Sequence, residues 1–181
     1  MVPTLTATLG VKGHRPTVGT RDCKDLLYVF AVVNLVSAAV HANTLESPKD
    51  AKKKTGQSKN RRMQEAFAAH LRHVGRISPR EQYPRGVLLI DNAPWHCGTP
   101  IDQALRDNPH LEFKRLPSYR PQLNPSERFW KKLRRRATHN RLFDPLADLK
   151  ASLRASLCYF QTMRHKVKSI LEARPKRKSV K

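Results

Sequence analysis

One stretch, Val87 to Arg136, constrains the fold of this chain more than any other. It opens on Val87-Leu88-Leu89-Ile90, an apolar run of the length expected for a buried strand. Asp91 and Asn92 end the run. A carboxylate at the end of a buried strand is held by rigid backbone, the best placement for a metal-binding or catalytic group. Further on, Asn124-Pro125-Ser126-Glu127 reads as a helix start, because Asn is a good N-cap and Pro is favoured at the first helical position. Glu127 then falls in the first turn. Phe129, Trp130 and Leu133 supply packing, and Lys131, Lys132, Arg134, Arg135 and Arg136 supply charge. Two carboxylates on rigid elements beside a dense basic face point to metal-assisted chemistry on a polyanion. The same residues have plainer readings. Asp91-Asn92 also suits a turn, since both side chains bond nearby backbone. Glu127 also suits the far half of a capping box with Asn124. Spacing alone does not make the two carboxylates partners.

Charge widens the argument to the whole chain. Thirty-six Lys and Arg against 14 Asp and Glu give a formal net charge of +22. A charge that large repels itself and favours a polyanionic partner. DNA, a ribosome-like RNA and an anionic membrane surface all satisfy it. At 181 residues one domain is expected, and 39% hydrophobic residues can fill one core. Cys23, Cys97 and Cys158 are widely spaced without a Cys-x-x-Cys, which argues against a zinc ribbon or a disulfide framework and fits a reducing compartment. The eight His form no clear ligand motif; His70 and His73 share a helix. Met1 to Gly10 lacks the basic start and apolar block of a secretory signal. Leu26 to Val40, the most apolar stretch, is too short to span a bilayer, and its Val and aromatic content favours β structure.

Taken in order, Thr4 to Leu9 alternates Thr with apolar residues, as a half-buried strand does. Leu26 to Asn34 and Ala38 to Leu45 read as two more strands with a tight turn at Asn34 to Ser37, completing an antiparallel meander. Ser47 to Asn60 is polar and basic and reads as a solvated loop. Arg61 to Arg76 is helical, with Met63, Phe67, Leu71 and Val74 on one face. Thr99-Pro100-Ile101-Asp102 starts a helix that should end near Asn108-Pro109, and Leu111 to Arg115 is a short strand. The Glu127 helix runs Asn124 to His139. Asp144-Pro145 caps a further helix whose core stripe is Leu146, Leu149, Leu153 and Leu157. From Arg164 the charge rises again, and the composition predicts a disordered basic tail.

Two segments of the opening stretch also carry a resemblance. Ile90-Asp91-Asn92-Ala93-Pro94-Trp95-His96, and Leu116 through Trp130 (LPSYRPQLNPSERFW), resemble the second and third signatures of DDE-superfamily transposases, in particular the mariner-like group and its bacterial insertion-sequence relatives. Arg120 stands where Ser is usual, and the 35 residues between Asp91 and Glu127 match the spacing of that group. The likeness runs from about Pro3 to about Phe160 and is weaker before Gly86. It implies an α/β fold, a ribonuclease H-like mixed sheet flanked by helices, over residues 1–160, followed by a basic tail over 161–181. It implies three carboxylates holding two divalent ions, Mg2+ or Mn2+, for DNA strand cleavage and strand transfer. Asp91 matches the second carboxylate and Glu127 the third. The first belongs on a strand ahead of Thr4, where this sequence has no acidic residue; Asp22 and Asp25 are the nearest substitutes.

The resemblance therefore implies a transposase catalytic domain, impaired as it stands. The alternative is a catalytically inactive, transposase-derived DNA-binding protein. A structure-specific nuclease drawing on Asp22 or Asp25 is a third reading. His96, Lys114, Arg115, Arg120, Lys131, Lys132, Arg134, Arg135 and Arg136 are the expected DNA contacts. The expected partners are transposon ends and target DNA, with no membrane and with room for a homodimer. The expected location is the bacterial cytoplasm, at the nucleoid.

Overall fold

The computed structural model describes residues 26–47, 56–117, 124–143 and 146–172. The expected strand Thr4 to Leu9, Asp22, Asp25, Arg120 and the Asp144-Pro145 cap lie outside them. The chain is mixed α/β, as expected, with small sheets flanked by helices.

Strand β1 (Leu26–Val33) and strand β2 (Val40–Ser47) pair antiparallel, Leu26 opposite Ser47 and Val33 opposite Val40. The turn between them is set by Asn34, whose side-chain oxygen accepts from the backbone N–H of Val36 and Ser37, both at 2.9 Å. Alternation then sorts the side chains. Leu27, Val29 and Val33 of β1 and Val40 and Ala42 of β2 face one core. Tyr28, Phe30 and Leu45 face another.

That second core is built on helix α1 (Lys59–Ile77), which buries Met63, Phe67, Leu71 and Val74 as its period predicts. Ser58 caps it, accepting from the Arg61 N–H at 3.2 Å. Strand β3 (Gly86–Ile90) follows, then a 3-10 turn (Pro94–His96), helix α2 (Thr99–Arg106) and strand β4 (Leu111–Arg115). β3 and β4 pair in parallel, Val87 opposite Glu112. Leu88 and Phe113 pack toward α1, where Ile101 and Ala104 of α2 are also buried.

The first core is closed by helices α3 (Ser126–Ala137), α4 (Leu146–Thr162) and α5 (Arg164–Glu172). Phe129 is fully buried at its centre, with its ring 5.3 Å from that of Phe160. Leu149, Leu153 and Leu157 are buried along α4, as the Leu stripe predicts. The disordered tail expected from Arg164 is corrected. Through Glu172 the chain is helical, and it buries Val167 and Leu171 in the same core. Arg128 of α3 donates to the Leu171 carbonyl at 2.6 Å. The polar segment expected from Ser47 also narrows, since β2 runs through Ser47 and α1 starts at Lys59.

Among the described residues the strands form two separate two-stranded sheets, β1-β2 and β3-β4. Helix α1 covers both on one side, and α3, α4 and α5 cover β1-β2 on the other. On that second side Val87 and Leu89 of β3 stay 50% and 39% exposed.

Candidate active site

A cleft of about 410 Å³ opens where β1, the end of β3, the 3-10 turn and α3 meet. Asp91 and Glu127 both line it, together with His96, Asn124, Trp130 and Arg134. Residues 36 positions apart in sequence thus share one cavity, which spacing alone did not establish.

The Asp91 end is held by short-range bonds. Leu116 N–H donates to the Ile90 carbonyl at 2.8 Å, and the Asn92 side-chain amide donates to the Leu116 carbonyl at 3.0 Å. These two bonds tie the end of β3 to the end of β4. The Asp91 carboxylate accepts from the Ala93 N–H at 3.1 Å, so the turn reading of Asp91-Asn92 is also met. The same carboxylate oxygen lies 2.9 Å from His96 Nδ1, and the Asp91 side chain is 64% exposed. The His96 ring stacks on Phe67 with centroids 4.4 Å apart, which fixes the imidazole against the second core. Arg115 donates to the His96 carbonyl at 2.9 Å, and Gln64 donates to the Cys97 carbonyl at 2.8 Å. Gly98 starts α2 at φ +104°, a conformation that a side chain would strain.

The Glu127 end begins with Asn124. Its side-chain oxygen accepts from the Ser126 N–H at 3.1 Å, and its carbonyl from the Glu127 N–H at 3.1 Å. The helix begins at Ser126 with Pro125 in the N-cap position, so Asn124 holds the turn one residue ahead of the cap rather than capping the helix itself. Glu127, Trp130 and Arg134 recur at helical spacing and present one face of α3 to the cleft. Trp130 is half-buried beside this cavity, and the buried anchor beneath Glu127 is Phe129.

Basic residues divide by what holds them. Lys131, Lys132 and Arg135 are exposed on α3. Arg136 lies over the Tyr159 ring at 3.7 Å, and Arg115 braces the 3-10 turn, so each has a structural engagement. Lys114 is exposed on β4 opposite Leu89, a residue of the cleft wall. Trp130, read from sequence only as a packing residue, lines the cleft, and the Tyr28-bearing wall of β1 was not singled out from sequence. The i, i+3 relation of Trp130 to Glu127 was the available signal; the β1 wall depends on long-range packing and had none.

Two carboxylates opening on one cleft suit a hard divalent cation in donor type. Among the described residues no group of three or more His, Cys, Asp and Glu stands close enough to hold a metal. Cys97 and Cys158 are free and exposed. No helix among the described residues is long and apolar enough to cross a membrane.

Residues 47–150, more than half of the chain, match the sequence model of the family described as DDE superfamily endonuclease. The chain is also similar to an uncharacterized protein, y4pE/y4sA, of Sinorhizobium fredii, with 34% identity over 85 residues. That match covers 47% of this chain and 58% of the relative, so the chain covers less than two thirds of the relative's length. No solved structure matches the chain.

Proposed function

The chain belongs to the DDE superfamily endonuclease family, and from that premise we propose that it is a transposase catalytic domain acting on DNA. The proposed activity is divalent-metal-dependent strand cleavage and strand transfer on a ribonuclease H-like fold. The observation that carries the proposal is the meeting of Asp91 and Glu127 in one cleft, inside the segment that matches the family.

Asp91 and Glu127 are the residues that would hold Mg2+ or Mn2+. When bound, such an ion supplies charge stabilisation and an activated oxygen nucleophile for an in-line displacement at phosphorus. The protein's own part is positional. The ties between β3 and β4 keep Asp91 at the cleft, and the Asn124 turn leads Glu127 onto the facing helix. The His96 imidazole, 2.9 Å from Asp91, orients that carboxylate and adds positive charge when protonated. Arg134 reaches the same cavity, while Lys131, Lys132 and Arg135 extend a basic surface along α3. These side chains suit contacts to phosphate rather than to base edges.

With two carboxylates in the described site, cleavage should be slow. A specific observation, the want of a third such ligand among the described residues, favours a second reading: a DNA-binding protein without catalysis. One assay separates the two. The full chain is incubated with labelled duplex DNA and Mg2+, and cleavage and binding are scored together. Asp91→Asn and Glu127→Gln should each cut cleavage by more than about a hundredfold, since even supporting partners of metal ligands are worth about 10–100-fold. Binding should persist in both. Cleavage that survives both substitutions defeats the catalytic assignment. Binding with no cleavage by the unsubstituted chain favours the second reading.

A further inference from the structure

The α1 wall of the cleft holds polar groups that the folded chain leaves without partners. Tyr28, on the α1-facing side of β1, lines the same cavity as Asp91 and Glu127. Its hydroxyl is buried with no hydrogen-bond partner. Tyr28 stands opposite Leu45 of β2, so Ser47, two residues on, shares its face of the sheet. The first turn of α1 lies over that face. Arg62 donates to the Ser47 hydroxyl at 2.9 Å, and the Lys59 ammonium lies 5.5 Å from the centre of the Tyr28 ring. The Arg62 Nε is also buried with no partner. That turn holds no acidic residue, and its third cation, Arg61, is already paired with Glu65 at 2.8 Å. An unpaired buried donor is costly, and one on a charged group more so. Two such donors, with the charges of Lys59 and Arg62 around them, suit an anion with several acceptor oxygens.

We infer that Tyr28, Lys59 and Arg62 form a phosphate subsite, which takes one backbone phosphodiester of the DNA strand lying in the cleft. The inference rests on the proposed action on DNA and adds to it a contact on the wall facing α3. One non-bridging phosphate oxygen accepts from the Tyr28 hydroxyl and the other from the Arg62 Nε–H. All three side chains offer donors, which matches a group that only accepts. The Ser47 hydroxyl holds the Arg62 fork in place. Lys59 is exposed, and its flexible stem swings from the Tyr28 ring to the phosphate, which opens the hydroxyl to the ligand. Such a contact fixes the register of the strand without reading its sequence. With Lys131, Lys132 and Arg135 along α3, the DNA is then held from both walls of the cavity that Asp91 and Glu127 line.

Binding of a labelled duplex by fluorescence anisotropy, run beside thermal unfolding of the DNA-free full chain, tests it. Tyr28→Phe removes the hydroxyl and keeps the ring. It should weaken DNA binding about threefold to tenfold and raise the unfolding temperature of the DNA-free chain, because an orphaned buried hydroxyl is gone. Arg62→Gln should lower the slope of log affinity against log salt by roughly 0.9, and Arg62→Lys should keep the slope. A Tyr28→Phe chain that binds DNA as tightly as the unsubstituted one overturns the subsite. So does one that unfolds at a lower temperature, which marks the hydroxyl as a structural group satisfied by water. Either result leaves the reading of Asp91 and Glu127 standing. An unsubstituted chain that binds no duplex removes the DNA reading instead. Titration with inorganic phosphate then decides the subsite: the Arg62 Nε–H resonance should shift, and an unmoved resonance overturns it.

Discussion

His70 shows how a single side chain ties this fold to pH. It is 3% exposed, with Nδ1 at 2.7 Å from the Asn43 side-chain oxygen and Nε2 buried without a partner. The ring is therefore held neutral, with Nδ1–H donating to Asn43. Burial first, and then the neighbouring His73 and His41, lower its pKa from 6.5 to about 4. Above 6.5 neither state carries the proton and the group costs nothing. Below 6.5 the unfolded chain takes up a proton that the folded chain refuses, so stability falls until the folded ring titrates near 4. The loss across that window should reach about 3 kcal/mol. Urea midpoints from pH 7.5 to 4 should show it, and His70→Gln should flatten that part of the curve. An unchanged slope in the variant would mean that other groups drive the acid loss. At this scale the sequence was partly legible. A long, specific motif singled out Asp91 and Glu127, and the fold brings both to one cleft. The division of the basic residues was not legible, because the aromatic ring under Arg136 and the carbonyl under Arg115 come from distant elements.

Among elements, the periodic ones were readable and the paired ones were not. α1 and α4 follow from apolar residues at helical spacing, and β3 from a bounded apolar run. The pairing of β3 with β4, and the cleft beside β1, depend on contacts far apart in sequence that no local pattern encodes. α5 was missed for another reason. Its Arg and Lys residues dominate the composition, yet Val167, Ile170 and Leu171 recur at i, i+3 and i+4, a helical stripe buried or packed against the core of α3 and α4. Leu171→Ala should therefore cost about 2–5 kcal/mol, as for a packed core leucine and not a tail residue. Thermal unfolding of the full chain measures it; a loss under about 0.5 kcal/mol would place α5 outside the cooperative core.

For the molecule as a whole, a net charge of +22 is opposed by few acidic groups, and several of those are already engaged. Glu46 pairs with Lys150, Asp107 with Arg72 and Glu112 with Arg85. The excess is thus carried by basic side chains in quantity, and DNA affinity should be strongly salt-dependent. If Lys131 and Lys132 each neutralise one phosphate, replacing both with Ala should shrink the slope of log affinity against log salt by roughly 1.8. An unchanged slope would move the DNA path off α3. Composition points to a polyanion partner, but the location of the path is a matter of folded surface.

The central claim is that Asp91 and Glu127 act together on one divalent cation. Iron(II)-directed backbone cleavage tests it most directly. Iron bound at the cleft, with ascorbate and peroxide, should cut the chain beside both Asp91 and Glu127. Excess Mg2+ should suppress both cuts, and Asp91→Asn or Glu127→Gln should remove both together. Cuts at neither position, or a cut at one that outlasts substitution of the other, would contradict a shared site.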